Sequence, residues 1–150
     1  MRALIRKVCS AKVEVENKLV SEIGEGLLIY LAIQSKDSLE DLSWIQKKIL
    51  GIRLFQDELG KVNQPISPRA GILVVSQFTL FGTLRKGFRP SFHRAATPGD
   101  ASEIYNEFLL SLNKSFDGTV RSGVFGENML ITAVDDGPVS IWIDSRFRDY

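Results

Sequence analysis

The chain has 150 residues, of which 44% are hydrophobic and 25% charged, and this is the size and composition of one folded domain. The composition excludes disorder as a description of the whole chain, and a formal net charge of +1 excludes a generally polybasic surface. A single cysteine and a single histidine exclude an intrachain disulfide and a cysteine-based zinc site. The longest apolar run, residues 27–33, is too short to span a bilayer, and the first residues do not resemble a signal peptide. We therefore expect one cytoplasmic domain, residues 1–150, without a membrane segment, a metal or a cofactor.

The first third of the chain predicts mainly strands. Residues 12–16 alternate apolar and charged side chains, which is typical of a half-buried strand. A turn at residues 24–26 precedes the apolar run, which suits a strand buried on both faces. Ser38 and Asp41 have the spacing of a capping box, so the first helix should begin near Ser38. Residues 52–55 suggest another strand, ended by a turn at residues 57–60.

The rest of the chain predicts further strands and one more helix. Residues 72–78 predict a second buried strand that runs into Thr79 and Leu80, and residues 81–96 predict a long loop. Thr97 and Pro98 are residue types preferred at a helix start. Val120 and residues 129–134 and 139–143 predict the closing strands, the last two joined by a turn at residues 135–138. About seven or eight strands and two main helices predict an α/β domain with mainly antiparallel sheets.

Residues 76–79 are the first candidate for a catalytic site. Ser76, Gln77 and Thr79 at a strand end would bring together two hydroxyls, an amide and free backbone N–H groups, which can polarise a carbonyl without an ionised group. The alternative is a strand whose alternate residues face solvent. No standard catalytic motif is present. His93 could be a general base or a solvated loop histidine, and we interpret Cys9 as a small buried hydrophobic residue.

A basic loop and a Gly-Pro pair are the other two candidates. The loop combines four fixed positive charges with two aromatic rings, in the order Arg85, Lys86, Phe88, Arg89, Phe92 and Arg94. This combination suits a phosphate backbone with stacked bases, although a charged loop can also be merely solvated. Gly137-Pro138 is either a plain turn or, with a cis peptide bond, one of the about 5–6% of X–Pro bonds that adopt that form.

Three ordered segments resemble the signatures of the D-aminoacyl-tRNA deacylases, formerly called D-tyrosyl-tRNA deacylases. They are Ser76-Gln77-Phe78-Thr79-Leu80, Lys86-Gly87-Phe88-Arg89-Pro90-Ser91-Phe92 and Asp136-Gly137-Pro138-Val139-Ser140. Residues 1–8, 24–28, 51–55 and 60–63 also fit, so the resemblance covers essentially the whole chain. The chain departs from the family pattern at Asp135, where Asn is usual, and at Ser140, where Thr is usual.

The resemblance implies a homodimer of compact subunits in β/β/α layers, with the active site at the subunit interface. It implies hydrolysis of the ester that joins a D-amino acid to the terminal adenosine of tRNA, assisted by the 2′-OH of that adenosine and without an indispensable side-chain nucleophile. The implied catalytic residues are Ser76, Gln77, Phe78 and Thr79, of which the last three hold the adenosine and supply N–H groups to the carbonyl.

The other two segments also have expected roles if the chain is such a deacylase. Gly137 and Pro138 from the partner subunit would form a cis-proline gate that rejects L-amino acids by collision, and such a gate would still accept glycine. The tRNA-binding residues would be Arg85, Lys86, Phe88 and Arg89.

Two other functions stay open at this point. One is a non-catalytic RNA-binding module that uses the basic loop. The other is an esterase with Thr79 or Ser76 as nucleophile, for which the sequence shows no adjacent base.

Overall fold

The structure is a computed structural model that describes residues 1–149. Along the chain lie β1 (Arg2–Val15), β2 (Lys18–Ile23), β3 (Gly26–Ala32), α1 (Leu39–Gly51), β4 (Phe55–Gln56), β5 (Val62–Gln64), β6 (Gly71–Ser76), α2 (Pro98–Ser115), β7 (Thr119–Ser122) and β8 (Leu130–Asp144). The predicted α/β fold with two main helices is confirmed. No helix within residues 1–149 is long and apolar enough to cross a membrane.

The long strand β1 organises the sheet. One edge of β1 pairs with β8, and its other edge pairs with β3 at one end and with β2 at the other, all antiparallel. Strands β6 and β7 extend the sheet beyond β3 in parallel. The hydroxyl of Ser21 in β2 donates to the carbonyl of Ser122 in β7 at 2.8 Å, so the two ends of the sheet curl toward each other.

Two apolar cores separate the layers of the molecule. The larger core lies between the sheet and the helices, where Ile45 of α1 and Phe108 of α2 are fully buried. The smaller core is enclosed by the curved sheet and contains Leu28 and Leu73. Leu27 belongs to the first core and Leu28 to the second, because successive side chains of a strand point to opposite faces. The prediction that β3 is buried on both faces is confirmed.

Both helices begin where the sequence predicts. Ser38 accepts a hydrogen bond from the Asp41 N–H, and Asp41 accepts one from the Ser38 N–H, which completes the capping box. Burial opposes ionisation of Asp41, but hydrogen bonds from Ser145 and Ser38 outweigh it and lower the pKa of this carboxyl. Thr97 caps α2, with Pro98 in the first turn. These starts depend only on residues three positions apart, which is why the sequence alone suffices to predict them.

Residues 130–144 form one continuous strand, so the prediction of two strands joined by a turn is wrong. Val8 of β1 pairs with Asp135 and Arg6 pairs with Ser140, which leaves residues 136–139 of β8 opposite Lys7 alone. The extra residues project from the ladder as a bulge. A Gly-Pro pair usually marks a turn, but here the long β1 template continues past it and keeps both halves in one strand.

The interpretation of Cys9 as a buried residue is also wrong, because its side chain is exposed. On one edge, the pairing of β1 with β3 ends at Val8 and its pairing with β2 begins at Ala11. On the other edge, the register with β8 shifts between Val8 and Ser10. These interruptions break the in–out alternation of β1 at Cys9 and turn its thiol outward.

Candidate active site

Strand β6 ends at Ser76, earlier than the sequence predicts. The N–H of Gln77 donates to the Leu31 carbonyl at 2.8 Å, and the chain then forms a 3-10 turn over Phe78–Phe81. The prediction that the strand continues through Phe78 to Leu80 is therefore wrong. Phe81 is buried, so the turn brings its ring into the protein interior. An extended chain would instead have left this ring at the edge of the sheet.

The turn leaves at the strand end the polar groups that the sequence predicts there. Its first hydrogen bond runs from the Leu80 N–H to the Gln77 carbonyl, so the N–H groups of Phe78 and Thr79 have no acceptor within the turn. The Gln77 side-chain amide donates to the Thr79 hydroxyl, and Phe78 is 57% exposed. We call Ser76, Gln77, Phe78 and Thr79 the strand-end cluster. No charged residue occurs between residues 76 and 84, so these groups act by their dipoles.

Arg2 holds the turn in place, a role that was not predicted from the sequence. Its Nη1 donates to the Leu80 carbonyl at 2.8 Å, and its Nε donates to Asp144 Oδ2 at 2.7 Å. The guanidinium also lies 4.4 Å from the centre of the Phe81 ring. Arg2 therefore connects the turn to the end of β8. Nothing local in the sequence indicates this role, because the carbonyl and the carboxylate lie 78 and 142 residues away.

Helix α2 supports the strand from behind. The Tyr105 hydroxyl donates to the Val74 carbonyl at 2.9 Å, two residues before Ser76. Burial raises the pKa of the Tyr105 phenol, so the hydroxyl keeps its proton and remains a donor.

Most of the predicted tRNA-binding residues come together in the loop after the turn. Thr83 and Ser91 exchange two backbone hydrogen bonds, which close the intervening loop. The loop and the residues after it line a concave surface of about 300 Å³, formed by Thr83, Arg85, Lys86, Arg89, Ser91, His93 and Arg94. Phe88 is fully exposed and does not line it. The Nδ1 atom of His93 lies 2.9 Å from the Ser91 hydroxyl, so its hydrogen-bond partner is a loop residue and neither Ser76 nor Thr79.

Gly137 and Pro138 form the bulge of β8, and the predicted cis bond between them is confirmed. Gly137 has φ +128°, a conformation that side-chain-bearing residues rarely adopt, and an added Cβ would lie 2.7 Å from Val139 Cγ2. The bulge therefore requires glycine at this position.

Two ion pairs fix the bulge from opposite faces of the sheet. Arg6 makes two hydrogen bonds to Asp135, at 3.0 and 2.5 Å, and these bonds raise the pKa of the guanidinium. Lys7 binds Asp136 at 2.6 Å on the other face, where its Nζ also lies 5.3 Å from the Phe55 ring centre. Asp135, which stands where Asn is usual in the family, thus supplies a carboxylate that accepts both hydrogen bonds from the Arg6 guanidinium.

One chain does not bring its own bulge to its own strand-end cluster. The bulge lies opposite Lys7, which pairs with Leu27 of β3, which pairs in turn with Ile72 of β6. Strand β8 is three strands from β6, and Ser76 is four residues beyond Ile72. At about 4.8 Å per strand and 3.3 Å per residue, the two features are separated along the sheet by roughly 14 Å across and 13 Å along the strands.

A cleft of about 680 Å³ lies between the bulge and the β4–β5 hairpin. Three carboxylates of its lining, Glu25, Asp57 and Glu58, have no ion-pair partner within residues 1–149 and would repel a phosphate backbone. No group of three or more His, Cys, Asp or Glu side chains in that part of the chain is arranged to hold a metal ion. The strand-end cluster is the better candidate, since its groups fit carbonyl chemistry.

Comparison with known proteins places the chain among the aminoacyl-tRNA deacylases. Residues 4–144 match the family model described as D-Tyr-tRNA(Tyr) deacylase, and the chain belongs to this family. Curated relatives named D-aminoacyl-tRNA deacylase from Kosmotoga olearia and Thermosipho africanus are each 44% identical over 147 residues, which is 97% of this chain and 98% of theirs.

Two solved structures share the fold of this chain. A protein named c-Myc DNA Unwinding Element Binding Protein is 36% identical, with a TM-score of 0.90 over 96% of this chain and 98% of that one. A probable eukaryotic D-amino acid tRNA deacylase shares the fold, with a TM-score of 0.78 at 22% identity over 95% of this chain and 97% of that one.

Proposed function

We propose that this chain hydrolyses the ester of D-aminoacyl-tRNA and releases free D-amino acid and tRNA. Family membership supports the reaction, and the observation that carries it here is the strand-end cluster. The N–H groups of Phe78 and Thr79, which have no acceptor within the turn, stand there beside a hydroxyl–amide pair, in a stretch of sequence without charged residues. Because aminoacyl-tRNA is the substrate, we expect the enzyme to work in the cytoplasm.

In this reaction the protein supplies orientation and dipoles, and the substrate supplies the assisting hydroxyl. The carbonyl oxygen of the ester accepts hydrogen bonds from the N–H groups of Phe78 and Thr79, which stabilise the negative charge of the tetrahedral intermediate. The 2′-OH of the terminal adenosine assists the attacking water. The Thr79 hydroxyl accepts from the Gln77 amide, and residues 1–149 place no general base beside it, so Thr79 is poorly suited to act as a nucleophile.

The proposed chirality gate requires a second subunit. A homodimer would bring the partner's bulge against the strand-end cluster, and the intrachain separation of the two supports this arrangement. The open edge of β8 has exposed apolar side chains, among them Leu130 and Val134, that a second copy could cover. Main chain at Gly137 and Pro138 close to Cα of the substrate would exclude every L side chain. Glycine has hydrogen on both sides of Cα, so glycyl-tRNA would also be hydrolysed.

The basic loop is proposed to bind tRNA through Arg85, Lys86 and Arg89, with the exposed Phe88 ring available to stack on a base. The competing proposal is a nucleic-acid-binding protein without turnover, which the name of the 36% identical protein would suit.

Deacylation assays with matched D-, L- and glycyl-tRNA test the reaction and its stereochemistry together. We expect multiple turnovers on D-tyrosyl- and glycyl-tRNA, and L-alanyl-tRNA should be spared. Binding of tRNA without release of amino acid would instead favour the binding protein. A substrate that ends in 2′-deoxyadenosine should be nearly inert, whereas Thr79→Ala should keep appreciable activity.

The role of the backbone N–H groups is tested by two substitutions at one position. Phe78→Pro and Phe78→Ala both remove the ring, but only proline removes the N–H, at the first position of the turn where proline is tolerated. We expect Phe78→Pro to be about 100- to 1,000-fold slower than Phe78→Ala, the usual effect of losing one such donor. Equal rates would refute the assignment, provided that both variants unfold at the same urea concentration.

Mixed dimers test whether the site is shared between subunits. Phe78→Pro damages the strand-end cluster, and Gly137→Val damages the bulge, so each homodimer should be inactive. A dimer with one chain of each kind contains one intact composite site and should recover activity. No recovery would show that cluster and bulge act within the same chain.

A further inference from the structure

The concave surface beside the turn has positive charges that the rest of the described chain does not neutralise. Four of its lining residues are Arg85, Lys86, Arg89 and Arg94, and none forms an ion pair with a carboxylate of residues 1–149. By contrast, the arginines at the two ends of the chain, Arg2, Arg6, Arg146 and Arg148, all bind carboxylates.

The sequence explains this lack of partners. No aspartate or glutamate occurs between Glu58 and Asp100, whereas the same stretch contains six lysines and arginines. Like charges on one short loop repel each other, and an anion between them would remove that repulsion. The lining also offers hydroxyl donors at Thr83 and Ser91, which can bond the oxygens of an anion that the cations attract.

The concave surface is connected to the strand-end cluster by close packing. The ring of Phe92 meets Phe78 edge-to-face, with 5.1 Å between ring centres. An added Cβ on Gly82 would lie 2.9 Å from the Thr79 carbonyl oxygen and 3.0 Å from Phe92 Cε1, so a larger residue would separate the two. Thr83 follows Thr79 by four residues, which span at most about 14 Å. A nucleic acid bound at both the concave surface and the strand-end cluster must therefore have a phosphate close to its reacting end.

We propose that the surface lined by Thr83, Arg85, Lys86, Arg89, Ser91, His93 and Arg94 is a subsite for a backbone phosphodiester within the last three nucleotides of the RNA strand. This inference rests on the proposed function, which places the terminal adenosine of the RNA at the strand-end cluster. It adds Thr83, Ser91, His93 and Arg94 to the residues that bind RNA. Two or more arginines suit a phosphodiester, whose two free oxygens accept the paired N–H groups of a guanidinium. The subsite recognises phosphate and not base, so it serves every tRNA alike.

A substrate series of increasing length tests the subsite. The substrates are D-tyrosyl esters of adenosine, of CpA and of CpCpA, which contain no, one and two phosphodiesters. For the wild-type protein we expect kcat/KM to rise by about tenfold or more once phosphodiesters are present, because charge-assisted hydrogen bonds are added. The double variant Arg89→Gln/Arg94→Gln should lose that rise, so that it hydrolyses the CpA and CpCpA esters no more efficiently than the adenosine ester.

A matched pair of substitutions controls for net charge. Lys47→Gln/Lys114→Gln removes the same two charges from exposed helix positions outside the site and should leave the whole series unchanged. The single variant Ser91→Ala should lower kcat/KM only for the esters that contain a phosphodiester. If Arg89→Gln/Arg94→Gln slows all three substrates equally, or none of them, the phosphodiester subsite is refuted.

Binding of CpCpA that bears no amino acid separates this inference from the proposed function. The logarithm of the association constant for CpCpA should fall as the logarithm of the salt concentration rises. Each phosphate that the double variant no longer binds should make this slope shallower by about 0.7. If the wild type binds CpCpA with this charge-dependent slope but hydrolyses no ester, the subsite stands and the deacylase function fails. Unchanged slopes in the double variant would overturn the subsite whatever the activity.

Discussion

Replacing Arg2 with methionine tests whether this residue positions the turn. Methionine keeps an unbranched apolar stem and removes both hydrogen bonds of the guanidinium, at 2.7 Å to Asp144 and at 2.8 Å to Leu80. The side chains of Arg2 and Asp144 are only 18% and 4% exposed, so water cannot fully replace the missing partner. Hydrogen bonds to charged groups contribute about 1.5–3 kcal/mol each. Asp144 still accepts from the Arg146 N–H at 3.0 Å, so we expect the free energy of unfolding to fall by about 2–4 kcal/mol.

The assay combines urea unfolding with steady-state deacylation. A double-mutant cycle of Arg2→Met with Asp144→Asn should give a clear coupling energy, because the two side chains are in direct contact. We expect kcat to fall more than KM rises, since the freed Leu80 carbonyl loosens the turn that orients the Phe78 and Thr79 N–H groups. Arg2→Lys keeps the charge but not the fork, so it should restore part of the stability and little of the kcat. Wild-type kcat in a folded Arg2→Met protein would refute a positioning role, and additive single-mutant effects would refute the ion pair.

Three further substitutions have expected outcomes. Tyr105→Phe should lower the unfolding free energy by about 1 kcal/mol without changing the urea m-value, since it removes one hydrogen bond to Val74. Asp41→Asn should destabilise the protein at neutral pH. Because the pKa of Asp41 is lower in the folded protein, its carboxylate contributes its full stabilisation above about pH 4 and loses it as the pH falls through the folded-state pKa. The stability difference from wild type, measured by urea unfolding from pH 7 downward, should therefore shrink in acid. Gly137→Ala should cost about 1–3 kcal/mol because of the φ of +128°, and a destabilisation below about 0.5 kcal/mol would show that the bulge adapts.

The sequence alone predicts the local features of this protein well, because their causes lie within a few residues. The capping residues Ser38 and Thr97 bond N–H groups three positions along, and β3 is recognised by an uninterrupted apolar run that follows a turn. The uncharged strand end at residues 76–79 and the acid-free stretch around the basic loop are also properties of composition. These features indicate carbonyl chemistry and an anion-binding loop before any contact is known.

Tertiary structure decides how these pieces are arranged. Strand β6 ends at Ser76 because burial of Phe81 and the Arg2–Leu80 bond favour a turn over continued pairing. Residues 130–144 stay one strand because β1 offers a template longer than the Gly-Pro interruption. The basic side chains share one concave surface only because Thr83 and Ser91 close the loop beneath them. The deciding contacts join residues that are distant in sequence, or residues such as Thr83 and Ser91 that meet only when the chain folds back. The propensity of each residue for helix or strand contains no information about such contacts.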